Sequence, residues 1–179
     1  MDSSKKTSAR FLVTWLRDLG IALLLAFVLI VFVYQPVKVE GTSMMPTLSD
    51  QERIFINKFT YRFGISSVGR GDTVVFWYPG DPSKSYIKRV IGLPGDTVEV
   101  RQGKVYVNGA AIDEPYVDSE FRDRGSLEAV KVAEGSYFVM GDHRNASNDS
   151  RNWGPVPAGA IFGKAVLVYW PIDKFGLVR

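Results

Sequence analysis

The chain contains no cysteine and only one histidine, His143, among its 179 residues. The absence of cysteine excludes disulfide bonds, thiolate catalysis and zinc sites built from thiolates. A single histidine excludes the paired-histidine and three-histidine metal sites. Most familiar pairs of nucleophile and base are therefore unavailable to this protein, and no metal site is expected.

The sequence also lacks a large excess of charge of either sign, with 22 Lys and Arg, 19 Asp and Glu, and a net charge of +3. It has no basic stripe of the kind that binds nucleic acid, so nucleic acid is not an expected partner. Apolar residues make up 46% of the chain and aromatic residues 13%, which is enough for a packed core. The length suggests one modest domain beyond any membrane anchor.

One long apolar run, Leu19 to Tyr34, lies near the N-terminus. Together with the residues back to Phe11 it is long enough to cross the roughly 30 Å hydrocarbon core of a bilayer. We therefore predict a transmembrane anchor over residues 11–35, with Gln35-Pro36 ending the helix. The alternative, a cleaved secretory signal, would need a small-residue cleavage site, whereas the residues around Pro36 are bulky.

Charge around this run predicts the orientation of the anchor. The basic residues that precede or begin the run are Lys5, Lys6, Arg10 and Arg17, whereas only Lys38 follows closely. Since cytoplasmic flanks carry the excess of Lys and Arg, residues 1–10 are expected in the cytoplasm. Residues 36–179 are then expected outside the membrane.

After Pro36 the chain consists of short β-branched and aromatic runs separated by Gly, Pro and Asp. These runs predict a mainly β fold, an antiparallel sheet or partly closed barrel that follows one N-terminal transmembrane helix. The predicted strands are Val37–Glu40, Arg53–Asn57, Thr73–Tyr78, Ser85–Ile91, Thr97–Arg101, Lys104–Val107, Tyr137–Met140 and Ile161–Tyr169.

Three segments of this β region have features of their own. Gln102-Gly103 predicts a tight hairpin. Residues 108–135 are more polar and irregular, which predicts a small inserted subdomain. The aromatic residues of Phe59–Ile65 and Trp77-Tyr78 indicate either ordinary core or an apolar rim that rests on the bilayer.

Ser43 and Lys88 are the residues that suggest chemistry. Ser43 follows Tyr34 by nine residues, so it lies within about 30 Å of the membrane even in a fully extended chain. A serine hydroxyl needs a base to take its proton, and a lysine serves only when it is neutral. Lys88 lies in an apolar strand, where desolvation disfavours the ammonium form, whereas its neighbour Arg89 would prefer water or an acid. Taken alone, Ser43 is equally consistent with a solvated loop hydroxyl, and Lys88 with a surface strand residue.

A third polar cluster runs from Gly141 to Arg151. It is consistent with a turn rich in bonds between side chains and backbone. It is also consistent with a loop in which Asp149 and Arg151, with Ser147 nearby, orient a buried amine.

Together the three segments resemble the bacterial type I signal peptidases, in their compact form with one membrane span. Ser43-Met44-Met45-Pro46-Thr47-Leu48 is similar to the nucleophile motif of that family. Tyr86 through Asp96, which contains Lys88-Arg89, is similar to its general-base motif, and Gly141 through Arg151 is similar to its supporting motif. The match covers the anchor and essentially the whole outer domain, in the order found in the family.

The resemblance implies a role for each matching residue. Ser43 would attack the scissile carbonyl, and Lys88 would be its general base. Ser147 would hydrogen-bond to the lysine amine, while Asp149 and Arg151 brace the loop with support from Asp142. Met44 and Ile87 would line shallow pockets that accept small side chains, typically Ala-x-Ala, before the cleaved bond.

The oxyanion and the tuning of the loop are expected to differ in detail from some relatives. The backbone N–H of Ser43 would stabilise the oxyanion. Some relatives add a hydroxyl donor two residues earlier, where this chain has Gly41. Ala146 and His143 stand where asparagine is common in the family.

The resemblance therefore implies a membrane-bound serine endopeptidase that removes signal peptides from exported preproteins, without a cofactor. Its partners would be preproteins and the lipid bilayer, and its place would be the outer face of the bacterial plasma membrane. Three alternatives stay open from the residues alone. They are a Ser-His-Asp hydrolase using His143 with Asp142 or Asp149, an inactive anchored β scaffold, and a specialised processing peptidase with the same mechanism.

Overall fold

The fold consists of one long N-terminal helix followed by two antiparallel β-sheets, in a computed structural model that describes residues 2–58 and 68–178. Helix α1 spans Asp2–Val33. The strands are β1 Tyr34–Lys38, β2 Arg53–Asn57, β3 Thr73–Tyr78, β4 Asp81–Gly92, β5 Thr97–Arg101, β6 Lys104–Val107, β7 Ala110–Ala111, β8 Leu127–Lys131, β9 Ser136–Met140, β10 Val156–Pro157, β11 Ile161–Trp170 and β12 Gly176–Leu177. A short helix, α2, spans Ser150–Trp153.

Helix α1 has the length and composition of a membrane span. Its most apolar part, Phe11–Val28, has a mean hydropathy of 1.9, and the side chains described there are exposed. The helix ends at Val33, and Tyr34 already begins β1. Pro36 was predicted to end the helix, but it lies inside β1, where a proline is tolerated because β1 is an edge strand.

The larger sheet contains eight strands in the order β1-β2-β11-β3-β4-β9-β10, with β12 paired to β11. Among the described residues no strand pairing joins β1 to β10, so the sheet stays open. Apolar residues of its central strands are fully buried, among them Ile54, Ile56, Phe76 and Val90. The prediction of a mainly antiparallel β fold is confirmed.

The smaller sheet has the order β7-β6-β5-β8. Residues 108–135, the predicted inserted subdomain, supply β7 and β8, whereas β5 and β6 come from before Asn108. The predicted hairpin at Gln102-Gly103 is confirmed: both residues have positive φ, at 48° and 80°, as a two-residue turn of this kind requires.

The two sheets meet where β4 leads into β5. A Cβ added at Gly92 would come within 2.5 Å of Val98 Cγ2 and 3.0 Å of Phe138 Cβ. Glycine therefore allows the close approach between the sheets at this point. The aromatic segment Phe59–Ile65 lies outside the described residues, and Trp77 is 46% exposed.

Candidate active site

The turn that carries Ser43 joins β1 to β2 and is held in place by its own apolar residues, which are buried in the core. Met44 and Leu48 are 1% and 0% exposed, and the N–H of Leu48 donates to the Met44 carbonyl at 2.9 Å. The N–H of His143 donates to the carbonyl of Ser43 at 3.1 Å. The backbone of the serine is therefore held by its own turn and by the loop after β9.

The side chains of Ser43 and Lys88 meet, as the sequence predicted. Lys88 Nζ lies 2.7 Å from Ser43 Oγ and donates a further hydrogen bond to the Ile87 carbonyl at 3.1 Å. Lys88 is only 4% exposed, because it enters the interior from β4 opposite Val74 of β3. The distance allows a proton to pass directly between the hydroxyl and the amine.

The surroundings of Lys88 favour the neutral amine that such a transfer needs. Burial lowers the pKa of Lys88 to about 8 from its ordinary 10.5. The carboxylates of Asp149 and Asp142 oppose this shift, and the Arg151 guanidinium adds to it. At pH 7 roughly one amine in ten is then neutral, compared with one in a few thousand for an ordinary lysine.

Arg89, the neighbour of Lys88, is buried on the opposite face of β4 and pairs with an acid. Its Nε and Nη2 donate to the two carboxylate oxygens of Asp142 at 2.8 and 2.6 Å. Its Nη1 donates to the Gly71 carbonyl at 2.8 Å, and Thr47 Oγ1 donates to Asp142 at 2.6 Å. The Arg89–Asp142 pair therefore connects β4, the turn of Ser43 and the loop after β9.

Asp149 and Arg151 form the other end of this loop. Asp149 is fully buried and accepts hydrogen bonds from the Arg151 side chain, at 2.9 Å from both Nε and Nη2, and from the Gly141 N–H at 2.9 Å. Burial raises the pKa of Asp149, but the hydrogen bonds and charge of Arg151 outweigh this, so the pKa lies below its ordinary value. Asp149 also caps α2 by accepting from the Arg151 N–H.

Ser147 lies beside the nucleophile but does not bond to the lysine in this structure. Its Oγ is buried and forms no hydrogen bond of regular geometry with the described part of the chain, although it helps to keep the pKa of Asp149 low. A Cβ added at Gly141 would overlap both Ser147 Oγ and the Ser43 carbonyl. Gly141 therefore allows the loop between β9 and β10, here called the supporting loop, to pack directly against Ser43.

A cleft of about 290 Å³ leads to Ser43 and Lys88. Its walls are residues 37–40 on one side and residues 85–88 on the other, with Asn148 also lining it. Ile87 lines the cleft as predicted. Met44 does not, since it is buried in the core cluster beneath the serine turn.

Each wall of this cleft includes a strand that, within the described residues, is paired on one side only. β1 is the first strand of its sheet, and β9 pairs with β4 only along Arg89–Gly92. Among the described residues, the segment Ser85–Lys88 therefore has a strand partner, β3, on one side only.

The histidine does not take part in a triad. His143 Nδ1 lies 3.1 Å from the Thr42 carbonyl, and its ring packs edge-on against Phe121. Asp142 and Asp149, its two candidate partners, are instead bound by arginines. The Ser43 hydroxyl has the lysine, not the histidine, beside it.

Two acidic residues that contact the supporting loop, Glu114 and Asp123, were not predicted from the sequence to belong to the site. Both lie in the polar region that was predicted to be an inserted subdomain. Their only sequence signal was an acidic residue in an otherwise irregular stretch, which does not reveal a partner thirty residues away. Among the described residues no group of His, Cys, Asp or Glu is arranged to hold a metal ion.

A half-buried serine hydroxyl paired with a buried lysine in a cleft defines a serine hydrolase without histidine. Comparison with known proteins identifies the family: residues 12–170 match the family described as signal peptidase, peptidase S26. The chain belongs to this family, so the prediction of a serine endopeptidase of the signal peptidase type is confirmed.

The most similar relatives include several bacterial signal peptidases. The chain is 40% identical to signal peptidase I of Bacillus licheniformis, with 96% of this chain and 94% of the relative covered. It is 39% identical to signal peptidase I P of Bacillus subtilis subsp. natto, with 97% of each covered. A crystal structure of a signal peptidase I from Enterococcus faecalis V583 matches 55% of this chain and 97% of that chain, with 34% identity and a TM-score of 0.48.

Proposed function

We propose that the protein removes signal peptides from exported preproteins, with Ser43 as nucleophile and Lys88 as general base. The observation that carries this proposal is the 2.7 Å separation of Lys88 Nζ and Ser43 Oγ, with the lysine buried and the serine half-buried. In the first step the neutral amine accepts the hydroxyl proton while Oγ attacks the scissile carbonyl carbon. The resulting ammonium then gives its proton to the leaving amine, which leaves an acyl-enzyme for water to hydrolyse.

The tetrahedral intermediate needs a donor for its oxyanion, and the backbone N–H of Ser43 is suited to supply it. In the described parts of the chain this N–H donates to no acceptor. Gly41 has a φ of +91°, a conformation that strains any residue with a side chain. A hydroxyl donor at that position is therefore disfavoured by the backbone itself, and the oxyanion depends on main-chain donors.

The substrate is expected to bind as an extended strand. Residues 37–40 and 85–88 line the cleft, and within the described residues β1 and Ser85–Lys88 each have a strand partner on one side only. A peptide lying there can therefore pair with main chain on its way to Ser43. Ile87 restricts the cleft near Lys88, which favours small side chains before the cleaved bond. This agrees with an Ala-x-Ala preference.

The experiment that tests the function is cleavage of a purified preprotein by the full chain in detergent, followed by N-terminal sequencing of the product. We expect a single new N-terminus directly after a site with small residues. The Ser43→Ala variant should give no product above background. Cleavage that persists in this variant, or that occurs at unrelated sites, would contradict the proposal.

The pH dependence of the reaction tests the base. Only the neutral amine can accept the proton, so kcat/KM should be low where Lys88 is protonated and should rise as the pH increases. The midpoint of this acidic limb is expected at about pH 8, the value to which burial lowers the pKa of Lys88. A limb centred near pH 6 or near pH 10 in the measured profile would be inconsistent with this base.

We further propose that α1 crosses the plasma membrane once, with its N-terminus in the cytoplasm and both sheets outside. The span Phe11–Val28 and the excess of basic residues before it support this orientation. Tyr34 follows the helix directly and lines an apolar groove with Phe55 and Leu177. Trp170 and Phe175, 51% and 65% exposed, extend the apolar surface near the C-terminus, where aromatic side chains would suit the lipid headgroup region.

Protease treatment of intact spheroplasts tests this topology. The large C-terminal fragment should be digested from outside, whereas a tag placed before Lys5 should survive until the membrane is permeabilised. Protection of the C-terminal part in intact spheroplasts would overturn the orientation.

A further inference from the structure

The connection between β7 and β8 touches the supporting loop through charged side chains that the mechanism above does not use. Within this connection Glu114 pairs with Arg144, and Asp123 pairs with Arg151. Arg144 and Arg151 both belong to the loop between β9 and β10 that packs against Ser43. Two ion pairs therefore connect the β7–β8 connection of the smaller sheet to the supporting loop.

The Glu114–Arg144 pair is buried. The two residues are 5% and 4% exposed, and the two ends of the guanidinium donate to the two carboxylate oxygens at 2.5 and 3.0 Å. Such a two-point contact fixes the orientation of both groups as well as their distance. Burying an ion pair requires two charges to be removed from water, and packed apolar residues often stabilise a fold as well or better.

Arg144 transmits this fixed orientation to the nucleophile. Its Nε donates to the Gly141 carbonyl at 3.0 Å, while the N–H of Gly141 donates to Asp149. The Cα of Gly141 packs so closely against the Ser43 carbonyl and Ser147 Oγ that a Cβ would overlap both. A displacement of Gly141 must therefore displace the loop from the serine.

The same segment also reaches the arginine beside the base. Tyr116 donates from its hydroxyl to Glu114 at 3.2 Å, and its ring lies 4.0 Å from the Arg89 guanidinium carbon. Arg89 in turn holds Asp142, the residue after Gly141. The stretch from Glu114 to Tyr116 therefore contacts both buried guanidinium groups near the start of the supporting loop, those of Arg144 and Arg89.

We propose that Glu114 is a positioning residue for the cleavage reaction, acting through Arg144 to hold Gly141, and with it the supporting loop, against Ser43 and Lys88. This inference rests on the serine–lysine chemistry proposed above. When the contact is lost, the loop moves away and water reaches the amine. The charged groups that act on Lys88 from this loop are Asp142, Asp149 and Arg151. A movement of the loop changes their distances to the amine as well as its solvation.

The test compares three forms of the full chain in detergent: the wild type, Glu114→Gln, and the double variant Glu114→Gln with Arg144→Gln. The single variant leaves a buried guanidinium without its carboxylate and is expected to lose stability. The double variant removes both charges, so it should recover much of the melting temperature. The matched control is Glu99→Gln with Arg101→Gln, an ion pair on the same small sheet whose arginine is 57% exposed.

For the folded double variant we expect kcat to fall roughly 10- to 100-fold with little change in KM, because the reacting groups are misplaced while the cleft is intact. The midpoint of the acidic limb of kcat/KM should rise by roughly half a unit or more, as desolvation of Lys88 is relieved. The control pair should retain wild-type kcat and midpoint.

Two results for the variants would overturn the inference while leaving the proposed function in place. One is a folded double variant with wild-type kcat and midpoint. The other is a loss of activity that is equal at every pH, leaves the midpoint unchanged and matches the unfolded fraction, because that is the signature of a structural role alone. A wild-type profile without a Lys88-dependent limb would contradict the base assigned to Lys88 itself, and the inference would fall with it.

Discussion

Replacing Lys88 by methionine is expected to lower kcat for preprotein cleavage by a factor of about 10² to 10⁴, the usual contribution of a general base. Methionine fills a similar volume and needs no hydration, so the fold should tolerate it. Ser43 Oγ would then have no amine at 2.7 Å to accept its proton. Single-turnover cleavage of a purified preprotein measures the effect, and circular dichroism checks the fold.

Two matched variants show whether the loss belongs to this amine. Lys84→Met removes a lysine from the same strand, but its side chain is 63% exposed and forms an ion pair with Asp81, so activity should be unchanged. His143→Asn should retain most activity, because the imidazole lies against the Thr42 carbonyl and the Phe121 ring, whereas the Ser43 hydroxyl has Lys88 beside it. An inactive His143→Asn enzyme combined with an active Lys88→Met enzyme would instead support a triad.

The largest effect on stability is expected from Asp142→Asn. The carboxylate is fully buried and binds Arg89 through two hydrogen bonds, and the arginine side chain is 2% exposed. Neutralising Asp142 removes its charge from a buried ion pair, and breaking a buried pair by removing one partner costs about 3–5 kcal/mol of unfolding free energy. For a chain of this size the melting temperature should fall by roughly 6–20 °C.

Thermal unfolding in detergent, followed by far-UV circular dichroism, measures this change. Asp81→Asn is the control, since the Asp81–Lys84 pair is exposed and its loss should leave the melting temperature close to that of the wild type. If the melting temperature of Asp142→Asn were as close to the wild-type value as that of the control, the Arg89–Asp142 pair would not stabilise the fold as expected.

The strands that the sequence predicted well are those in which apolar residues alternate or cluster between turn residues. Arg53–Asn57 and Thr97–Arg101 have the predicted bounds, because β-branched residues at every second position fit a half-buried strand. β8 was missed since its sequence, Leu-Glu-Ala-Val-Lys, consists mainly of residues that favour helices. Only its pairing with β5 makes it a strand.

The site was predictable where a motif carried it. The Ser43–Lys88 pair followed from the resemblance to a family, since nothing local in either segment indicates that residues 45 positions apart touch. The burial of Met44 was not foreseen, because a residue next to a nucleophile can face either the cleft or the core. In this turn Met44 packs into the core and so fixes the position of the neighbouring Ser43.

The contacts of Glu114 could not be predicted from the sequence at all. The residue lies 30 positions from Arg144, in a stretch without periodicity, and its burial depends on the packing of two sheets. Charged residues are seldom fully buried, so a polar segment is ordinarily taken as solvated. Long-range ion pairs of this kind become visible only when the fold is known.

The two open strand edges that line the cleft have a consequence for inhibition. A ligand that pairs with residues 85–88 through main-chain hydrogen bonds relies on atoms that every amino acid carries. Side-chain substitutions along those edges leave these atoms in place. Drug resistance through single mutations should therefore arise less readily against an extended, backbone-pairing inhibitor than against a compound that depends on the side chains of the cleft.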